Sequence, residues 1–440
     1  MKETIRIGCG AGFSGDRLEP AVILVQQGQL DYLVLECLAE RTIALAQKRK
    51  RQDPTLGYDP LLERRMECLL PHLLEKKVRL ITNMGAANPP AAAEKICAIA
   101  RQLQLPVTVA TVTGDDVLQQ LTGNEPALET GKPLNESGAL ISANAYLGAD
   151  AILPALATEA NIIITGRVAD PSLFVAPLVH EFGWSLDNAN QIGQGTVIGH
   201  LLECAGQLTG GYFADPGRKD IPDMAHLGHP FADISADGTA VFSKVAGTGG
   251  LVSVATATEQ LLYEVMNPGQ YFTPDVVADF TQVRLDQSGS DQVRATGGRG
   301  QTRPDTLKVS VGYDAGFVGE GEISYAGSNA LGRAKLAGAI VQQRLQDRFA
   351  DLRVDYIGST SVHRTAFGHY PDPYEIRLRV AGRAATAKEA ALVGEEVEAL
   401  YTNGPAGGGG ARKYVHEIVG IVSTLIDRNQ VSPHLTVLHA

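Results

Sequence analysis

Residues 4–17 read TIRIGCGAGFSGDR, an apolar run that leads directly into a glycine-rich loop. Such a run predicts a buried β-strand that ends in a tight turn. Gly10, Gly12 and Gly15 satisfy the spacing G-x-G-x-x-G, and Glu36 follows about 20 residues further on, where a ribose-binding acid would lie. A nicotinamide dinucleotide site, a substrate or phosphate loop, and a structural turn are all compatible with this pattern.

The same loop also contains polar and charged side chains. Ser14, Asp16 and Arg17 follow the glycines closely, and Pro20 comes soon after. A long helix packed on the sheet is less evident here than a dinucleotide fingerprint requires. We therefore predict that the loop, including these side chains and Glu36, binds substrate.

The first part of the chain alternates short β-type runs with longer amphipathic segments, which is typical of βα units. The predicted strands are residues 5–8, 32–35, 78–82, 107–111 and 161–165. The predicted helices are residues 39–48, 61–76 and 91–103, the last preceded by Pro89 and Pro90, which suit a first helical turn. We predict an α/β fold with an open, mostly parallel, Rossmann-like sheet.

The later part follows a different order, namely strand, strand, helix, strand, strand, helix. The corresponding residues are 307–313, 319–325, 331–345, 354–358, 374–380 and 387–401. Glycine- and proline-rich stretches near 246–250 and 296–304 are suitable connections. We predict a Rossmann-like α/β domain with ligand loops at its strand ends over residues 1–250, and a mixed α+β domain ending in a glycine-rich loop over 251–440.

Composition excludes several classes of protein. The chain has 440 residues, 44% hydrophobic and 20% charged, which is typical of a folded globular protein. No apolar run approaches the ~20 residues of a membrane span, and no signal-peptide segment is evident, so we expect a cytoplasmic protein without a membrane partner. The net charge of -11 disfavours nucleic-acid binding. Five scattered cysteines without C-x-x-C predict neither a disulfide framework nor a structural zinc site.

A second ligand loop is predicted at residues 82–90, TNMGAANPP, between a strand and a helix. Asn83, Gly85 and Asn88 could offer side-chain or backbone donors to a carboxylate or carbonyl. The alternative is that Asn88 is simply the N-cap of the helix that begins at Pro89.

A third strand end, residues 165–172, reads TGRVADPS. Arg167 suits bidentate recognition of a carboxylate or phosphate, and Asp170 could act as a base. A structural Arg–Asp pair that caps the next helix is the competing interpretation.

His200, Glu203 and Cys204 would share one face if residues 199–207 are helical. They could act in acid–base catalysis, ligate a metal, or form a structural hydrogen bond, but no second ligand pair with metal-site spacing accompanies them. His229, before Pro230, and His363, beside Arg364, have weaker context.

The densest glycine run lies in residues 402–413, TNGPAGGGGARK. Gly408, Gly409 and Arg412 could form an anion nest or a mobile flap over a ligand. A flexible turn between domains is the alternative.

Taken together, these loops resemble the acyclic terpene utilisation (AtuA) family. The matching segments are residues 10–17, 31–40, 83–89, 165–173, 207–217, 247–250 with 259–264, and 402–412, which cover almost the whole chain. The resemblance implies a role in the catabolism of branched isoprenoid acids through coenzyme A thioesters. It also implies that longer members carry a further small α+β region after the glycine run, which is here either absent or supplied by a separately encoded small subunit. We also expect a homo-oligomer.

The leading hypothesis is a catabolic enzyme, or its large subunit, that acts on a small carboxylic acid or acyl-CoA thioester. Asp170, His200 and Glu203 would serve as acid and base in a hydro-lyase reaction, with coenzyme A present only as part of the substrate. The alternatives are an NAD(P)-dependent oxidoreductase and a non-catalytic subunit that binds substrate or organises an assembly.

Overall fold

A computed structural model describes residues 2–363 and 373–440 of the chain. The helices are α1 (Glu19–Gln27), α2 (Glu40–Gln52), α3 (Leu62–Lys76), α4 (Pro89–Gln102), α5 (Ala149–Leu156), α6 (Ser172–Phe182), α7 (Ala189–Glu203), α8 (Val254–Leu262), α9 (Ala330–Leu345), α10 (Ala387–Glu398) and α11 (Leu400–Asn403). The strands are β1 (Thr4–Ala11), β2 (Tyr32–Leu35), β3 (Arg79–Thr82), β4 (Thr108–Thr113), β5 (Leu140–Ala145), β6 (Ile162–Thr165), β7 (Pro230–Ser235), β8 (Ala240–Lys244), β9 (Tyr271–Phe272), β10 (Val277–Asp279), β11 (Arg284–Gly289), β12 (Gln292–Thr296), β13 (Arg299–Gln301), β14 (Thr306–Ala326), β15 (Leu352–Ile357), β16 (Glu375–Ala384), β17 (Gly409–Asp427) and β18 (His434–His439).

The chain forms two compact units. Unit 1 comprises Met1–Glu136, Leu140–Gly312 and Ile421–Ala440, and unit 2 comprises Ser137–Ala139 and Tyr313–Gly420. The chain leaves unit 1 within β14 and returns to it within β17. This division places residue 250 inside unit 1, together with the β-rich segment that follows it.

Unit 1 contains a ten-stranded sheet in the order β11-β12-β8-β7-β1-β2-β3-β6-β4-β18. The predicted α/β class is confirmed, and the five strands predicted from periodicity form its parallel centre, β1-β2-β3-β6-β4. Antiparallel strands extend the sheet on both sides, so it is mixed rather than mostly parallel. A smaller sheet, β13-β10-β9, also belongs to unit 1.

One face of the parallel centre packs against α1, α3 and α4. Leu24, Leu69 and Ile96 on these helices share a buried apolar cluster with Leu33 and Leu80 on the strands. The predicted helices α2, α3 and α4 are confirmed within a few residues. Helix α1 was not predicted, because Pro20 suggested a break in the helix; in the structure Pro20 occupies the first turn, where its missing N–H costs nothing.

Helix α7 contains two of the predicted site residues, His200 and Glu203. It is buried over nearly its whole length and contacts α6, β1, β10 and β13. Its end at Glu203 brings Cys204 against the loop after β1, where a Cβ added at Gly12 would lie 2.6 Å from the Cys204 carbonyl carbon. Gly12 is therefore required for close approach of two backbones.

Unit 2 is a sheet in the order β15-β16-β14-β17 with α9 and α10. Its core includes Ile323, Tyr325, Leu378 and Val393. The predicted α+β order is confirmed for α9, β15, β16 and α10, but the two predicted strands at 307–313 and 319–325 are one continuous strand, β14. Throughout residues 2–363 and 373–440, no helix has both the length and the apolarity that a membrane crossing needs.

Candidate functional site

A cavity of about 1160 Å³ lies at the carboxyl ends of the parallel strands of unit 1. Parallel strands bring their carboxyl ends to one edge, so the loops after β1, β2 and β6 converge there. Seven of the predicted site residues line this cavity: Gly12, Asp16, Arg17, Glu36, Arg167, Asp170 and Glu203. Every lining residue belongs to unit 1.

Arg167 forms the floor of the cavity and is only 1% exposed. Its Nε donates to the Val168 carbonyl at 2.8 Å, and its terminal nitrogens donate to the carbonyls of Leu38 and Val168 and to the Asp170 carboxylate. The guanidinium also lies 4.5 Å from the ring centroid of Tyr146. All three nitrogens therefore have acceptors inside the protein, and Arg167 holds Asp170 in place.

Asp170 presents its carboxylate to the cavity, with 37% of the side chain exposed. The surrounding protein raises the pKa of Asp170 by desolvation, and Arg167 opposes that rise. No side chain caps α6, so the Arg167–Asp170 pair does not have the capping role considered from the sequence.

Glu36 also lines the cavity and is 7% exposed. One of its carboxylate oxygens accepts from the Leu38 amide at 2.9 Å and from Asn83 Nδ2 at 2.8 Å. Asn83 in turn accepts from the Cys37 amide at 2.7 Å, so it orients Glu36 and does not itself line the cavity. Burial and the nearby Asp170 charge raise the pKa of Glu36 well above its ordinary value.

The third carboxyl group is Glu203, whose Oε1 lies 2.8 Å from Nδ1 of His200. His200 is 1% exposed, does not line the cavity, and packs against the rings of Tyr271 and Phe280. Burial lowers the pKa of His200 to about 4, and burial together with neighbouring carboxylates raises the pKa of Glu203 well above its ordinary value. Burial therefore favours the uncharged form of each group, and Glu203 is the member that lines the cavity.

Burial raises the pKa of all three carboxyl groups and so favours their protonated forms. Mutually repelling acids in a poorly solvated site titrate as a set, so one can stay protonated while another is ionised. Within the described ranges, 2–363 and 373–440, no group of three or more His, Cys, Asp or Glu side chains is arranged to hold a metal ion.

The glycine loop after β1 is closed by its own carboxylate. Asp16 accepts from the Gly12 amide at 3.0 Å and from the Arg17 amide at 2.9 Å. The buried Arg65, which the sequence analysis did not single out, donates to the carbonyls of Ser14 and Asp16, each at 3.0 Å. Hydrogen bonds from Arg65 and to Asp16 therefore fix the loop, and the Gly12 amide is already bonded to Asp16.

The other two loop glycines serve packing. A Cβ at Gly10 would lie 2.7 Å from the Leu35 side chain, and one at Gly15 would lie 2.7 Å from the Phe13 ring. Neither glycine lines the cavity.

Two predicted residues of the loop after β3 are structural ties away from the cavity. A Cβ at Gly85 would lie 2.5 Å from the Thr165 carbonyl oxygen, so only glycine fits there. Asn88 stands at the N-cap position of α4 without a side-chain cap, and its Nδ2 donates instead to the carbonyls of Pro54 and Leu56 at 2.8 and 2.7 Å.

Gly408, Gly409 and Arg412 belong to unit 2, at the start of β17. They are not among the residues that line the cavity, and their predicted ligand role stays a prediction. His363 is exposed in unit 2, and its neighbour Arg364 lies outside the described residues.

Sequence reasoning missed a polar group on the cavity wall. Tyr146 donates to Glu40 at 2.6 Å, and Lys308 Nζ lies 3.2 Å from the same carboxylate. Although burial opposes it, these partners lower the pKa of Glu40 to about 2. No local pattern signals this cluster, because Lys308 is 268 residues from Glu40.

The remaining wall of the cavity is largely apolar, and no sequence pattern predicted it. Exposed members are Phe13, Leu128, Tyr212, Met224, Phe272 and Leu425. Of the other lining residues, His229 had been noted only as a weaker candidate.

The family model described as "Acyclic terpene utilisation family protein AtuA" matches residues 5–437. No curated protein and no solved structure matches the chain.

Proposed function

We propose that this chain, which belongs to the acyclic terpene utilisation family, is a catabolic enzyme or the large subunit of one. Its substrate is a small carboxylic acid or its acyl-CoA thioester, and its reaction is the addition or elimination of water or a related proton transfer. The observation that carries the proposal is the set of three carboxyl groups with raised pKa, Glu36, Asp170 and Glu203, around the buried Arg167.

The roles follow from exposure and protonation. A general acid must hold a proton at neutral pH, which the raised pKa of Glu203 allows. Asp170 is the most exposed of the three carboxyl groups and is oriented by Arg167, so it suits the base. His200 keeps the Glu203 carboxyl in place through Nδ1. Arg167 positions Asp170 and uses four of its five N–H groups on Leu38, Val168 and Asp170, so the remaining N–H on Nη1 is the one that suits the substrate carboxylate or carbonyl.

In the elimination direction, Asp170 takes the proton from the carbon next to the carbonyl. Glu203 gives its proton to the leaving hydroxyl, the C–O bond breaks, and water leaves as the C=C bond forms. The same two groups exchange roles for addition of water. The apolar wall formed by Leu128, Phe272 and Leu425 suits a branched hydrocarbon body beside this polar floor.

The test begins with a thermal-shift panel of coenzyme A, branched acyl-CoA thioesters, dicarboxylic acids, NAD and NADP, followed by assays for loss or gain of a conjugated C=C bond. We expect Asp170→Asn and Glu203→Gln to lower turnover by about 100-fold or more and to keep the ligand-induced shift. Glu159→Gln and Asp187→Asn, which lie away from the cavity, serve as matched controls. Turnover within threefold of the parent in both cavity variants would refute the assigned acid and base.

The same panel separates the alternatives. The nicotinamide proposal has less support, because the Gly12 amide donates to Asp16 and Glu36 is held by Leu38 and Asn83. A stabilising shift with NAD or NADP would restore it. We also propose a small α+β partner subunit and a homo-oligomer; turnover only after addition of such a partner would identify this chain as a large subunit, whereas ligand binding without turnover in any mixture would favour a non-catalytic role.

A further inference from the structure

Strand β17 forms one edge of the sheet of unit 2, because the strand order β15-β16-β14-β17 ends with it. Residues 411–420 of this strand are exposed or only half buried, and Tyr414 and Val415 are 43% and 40% exposed. A long, exposed edge strand can pair with another chain, and natural proteins usually cover or pair such an edge. The structure therefore raises the question of what occupies the edge of β17.

Hydrogen bonds at two points along β17 show which of its backbone groups point away from β14. At Ser423, the carbonyl accepts from the Leu128 amide at 2.8 Å and the amide donates to Glu129 at 2.9 Å. At Ala411, the amide donates to the Tyr401 hydroxyl at 2.9 Å. Both residues have odd numbers, and backbone groups alternate in direction along a strand, so the odd-numbered residues of β17 face outward.

The edge is open between these two points. Within residues 2–363 and 373–440, the outward amides and carbonyls of Lys413, Val415 and Val419 form no hydrogen bond. Leu128 closes the edge at Ser423. A strand from another molecule can therefore add to the sheet along the segment between residues 411 and 423.

The odd-numbered side chains of this segment lie on the face of the sheet that α10 covers. A Cβ added at Gly394 of α10 would lie 2.5 Å from the Lys413 Cβ, and Lys413 Nζ donates to Glu398 of the same helix at 2.5 Å. Val415 and Glu417 share this face, since side chains alternate along a strand. Lys413 and Glu417 thus place opposite charges two positions on either side... of Val415 along one face of the edge.

A second copy of the chain can pair with this segment about a two-fold axis, with the two strands antiparallel. One residue then lies opposite its own counterpart. An axis at Lys413 or at Glu417 places like charges opposite each other, which is destabilising. An axis at Val415 places Lys413 of each copy opposite Glu417 of the other. An axis closer to Ser423 is blocked, because Leu128 already occupies the edge there.

The register centred on Val415 also suits the backbone and the other face of the sheet. The two copies of Val415 exchange two N–H···O=C bonds, as a hydrogen-bonded pair does. Tyr414 of one copy lies opposite His416 of the other, which extends the stack that these rings already form within one chain, with centroids 5.9 Å apart. An axis at Tyr414 or at His416 would instead place Val415 opposite Lys413 or Glu417 and leave the charges unmatched.

We propose that the chain forms a two-fold symmetric dimer by antiparallel pairing of β17 with its counterpart, centred on Val415. The pairing joins the two unit 2 sheets and removes the exposed edge of each. Lys413 has three N–H donors, so it can keep Glu398 while it meets Glu417 of the second copy. This proposal rests on the homo-oligomer proposed above and names its surface, and it depends on none of the catalytic steps.

The first test is a cross-link in the full chain. We expect Val415→Cys, made in a Cys68→Ser background because Cys68 is exposed, to form a disulfide-linked dimer under mild oxidation. Residues of a hydrogen-bonded pair have Cα atoms about 5.5 Å apart, which is within the range of a disulfide. Arg412→Cys is the matched control. That residue is also exposed, but its two copies would lie about 20 Å apart, so we expect no cross-link.

The second test measures the dimer dissociation constant by sedimentation velocity over a concentration series. Val415→Pro lacks the outward N–H and should raise the constant by about 100-fold or more, whereas Val415→Ala keeps that N–H and should stay within about tenfold of the parent. Lys413→Glu should raise the constant by about tenfold. Addition of Glu417→Lys to the same chain should restore it to within about threefold of the parent.

A parent chain that is monomeric at about 100 µM overturns the proposal. A dimer that survives Val415→Pro and does not cross-link through Val415→Cys overturns it as well, and so does a Val415→Cys chain that cross-links to a different, smaller protein instead of to itself. If Val415→Pro does not fold, the cross-link and the charge exchange decide.

The dimer and the proposed reaction fail separately. Absence of turnover in a chain that cross-links through Val415→Cys refutes the reaction and supports the dimer. Turnover that depends on Asp170 and Glu203 in a monomeric parent supports the reaction and refutes the dimer.

Discussion

At each end of the parallel strands in unit 1, an arginine donates hydrogen bonds to backbone carbonyls, but the two ends differ in the side chains around that arginine. At the amino edge, Arg79 donates to the carbonyls of Leu156, Thr158 and Ala160 at 3.0 to 3.2 Å, beside a cavity of about 390 Å³. At the carboxyl edge, Arg167 likewise donates to backbone carbonyls, but Nη2 also donates to the Asp170 carboxylate.

The difference lies in the acids. One carboxyl side chain, Glu159, is among the residues that line the amino-edge cavity, whereas six line the carboxyl-edge cavity, namely Asp16, Glu36, Glu40, Asp170, Glu203 and Glu264. An arginine that links backbone carbonyls therefore has a structural role at both edges. Chemistry requires the additional acids whose protonation the protein controls.

The largest expected effect comes from the same substitution at both edges. Arg167→Met leaves two buried carbonyls and Asp170 without their partner and should lower the free energy of unfolding by about 3–5 kcal/mol. Arg79→Met, which removes only bonds to carbonyls, should cost about 1–2 kcal/mol. Urea unfolding of the two variants measures both values. If the two variants lose the same free energy of unfolding, Arg167 contributes no more to stability than Arg79 does.

A pH series sharpens the comparison next. Burial raises the pKa of Asp115, at the carboxyl end of β4, from 3.8 to about 6, against the opposing bonds from the Arg167 amide and Asn144. The folded state therefore disfavours the ionised form, so its stabilising contribution is complete below about pH 4 and is lost as pH rises through about 6. The loss should approach about 3 kcal/mol.

Asp115→Asn should remove this part of the pH dependence, and Glu159→Gln at the amino edge should leave it unchanged. The measurement is the free energy of unfolding in urea from pH 4 to pH 7. A parallel pH curve for Asp115→Asn and the parent would show that Asp115 is not the titrating group.

A smaller effect is expected from Gly12→Ala. The added Cβ would lie 2.6 Å from the Cys204 carbonyl carbon, so the backbones must separate, at about 2 kcal/mol. Gly269→Ala is a suitable control, because its nearest contact would be an ordinary 3.5 Å. Thermal unfolding distinguishes the two, and a stable Gly12→Ala would mean that the loop can move away from α7.

The smallest effect is expected from Lys308→Met. This cation is partly exposed and paired with Glu40, so its removal should change stability by less than about 1 kcal/mol. The pKa of Glu40 should rise, and the thermal shift produced by a carboxylate ligand should fall. Lys77→Met at the amino edge is the control, and an unchanged ligand shift in Lys308→Met would remove this lysine from the binding site.

Local patterns predicted the parallel centre of the fold and its covering helices. The strands β2, β3 and β6 are short, mostly apolar and followed by polar or glycine residues, which is a strong signal for buried parallel strands. Antiparallel neighbours such as β7 and β18 were missed because their place in the sheet depends on pairing across 100 residues or more, as between Thr108 and His439.

In the candidate site, too, the residues with a local sequence signal were predicted and those without one were missed. Glu36, Arg167 and Asp170 come directly after predicted strands, so topology alone predicts that they meet. Lys308 and Tyr271 come from later segments with no local signature. Asn88 and Gly85 show the opposite error, since residues typical of ligand loops are also those that tie backbone together.

The order in which the chain visits the two units has a consequence for synthesis on the ribosome. Residues 313–420 of unit 2 emerge as an uninterrupted stretch, whereas unit 1 needs residues 421–440, including the strand β18 that pairs with β4. The nascent chain can therefore complete unit 2 before unit 1. Until β18 has been synthesised, the edge of β4 has no strand to pair with. During that interval β4 is a bare sheet edge, which is the kind of surface that chaperones protect from aggregation.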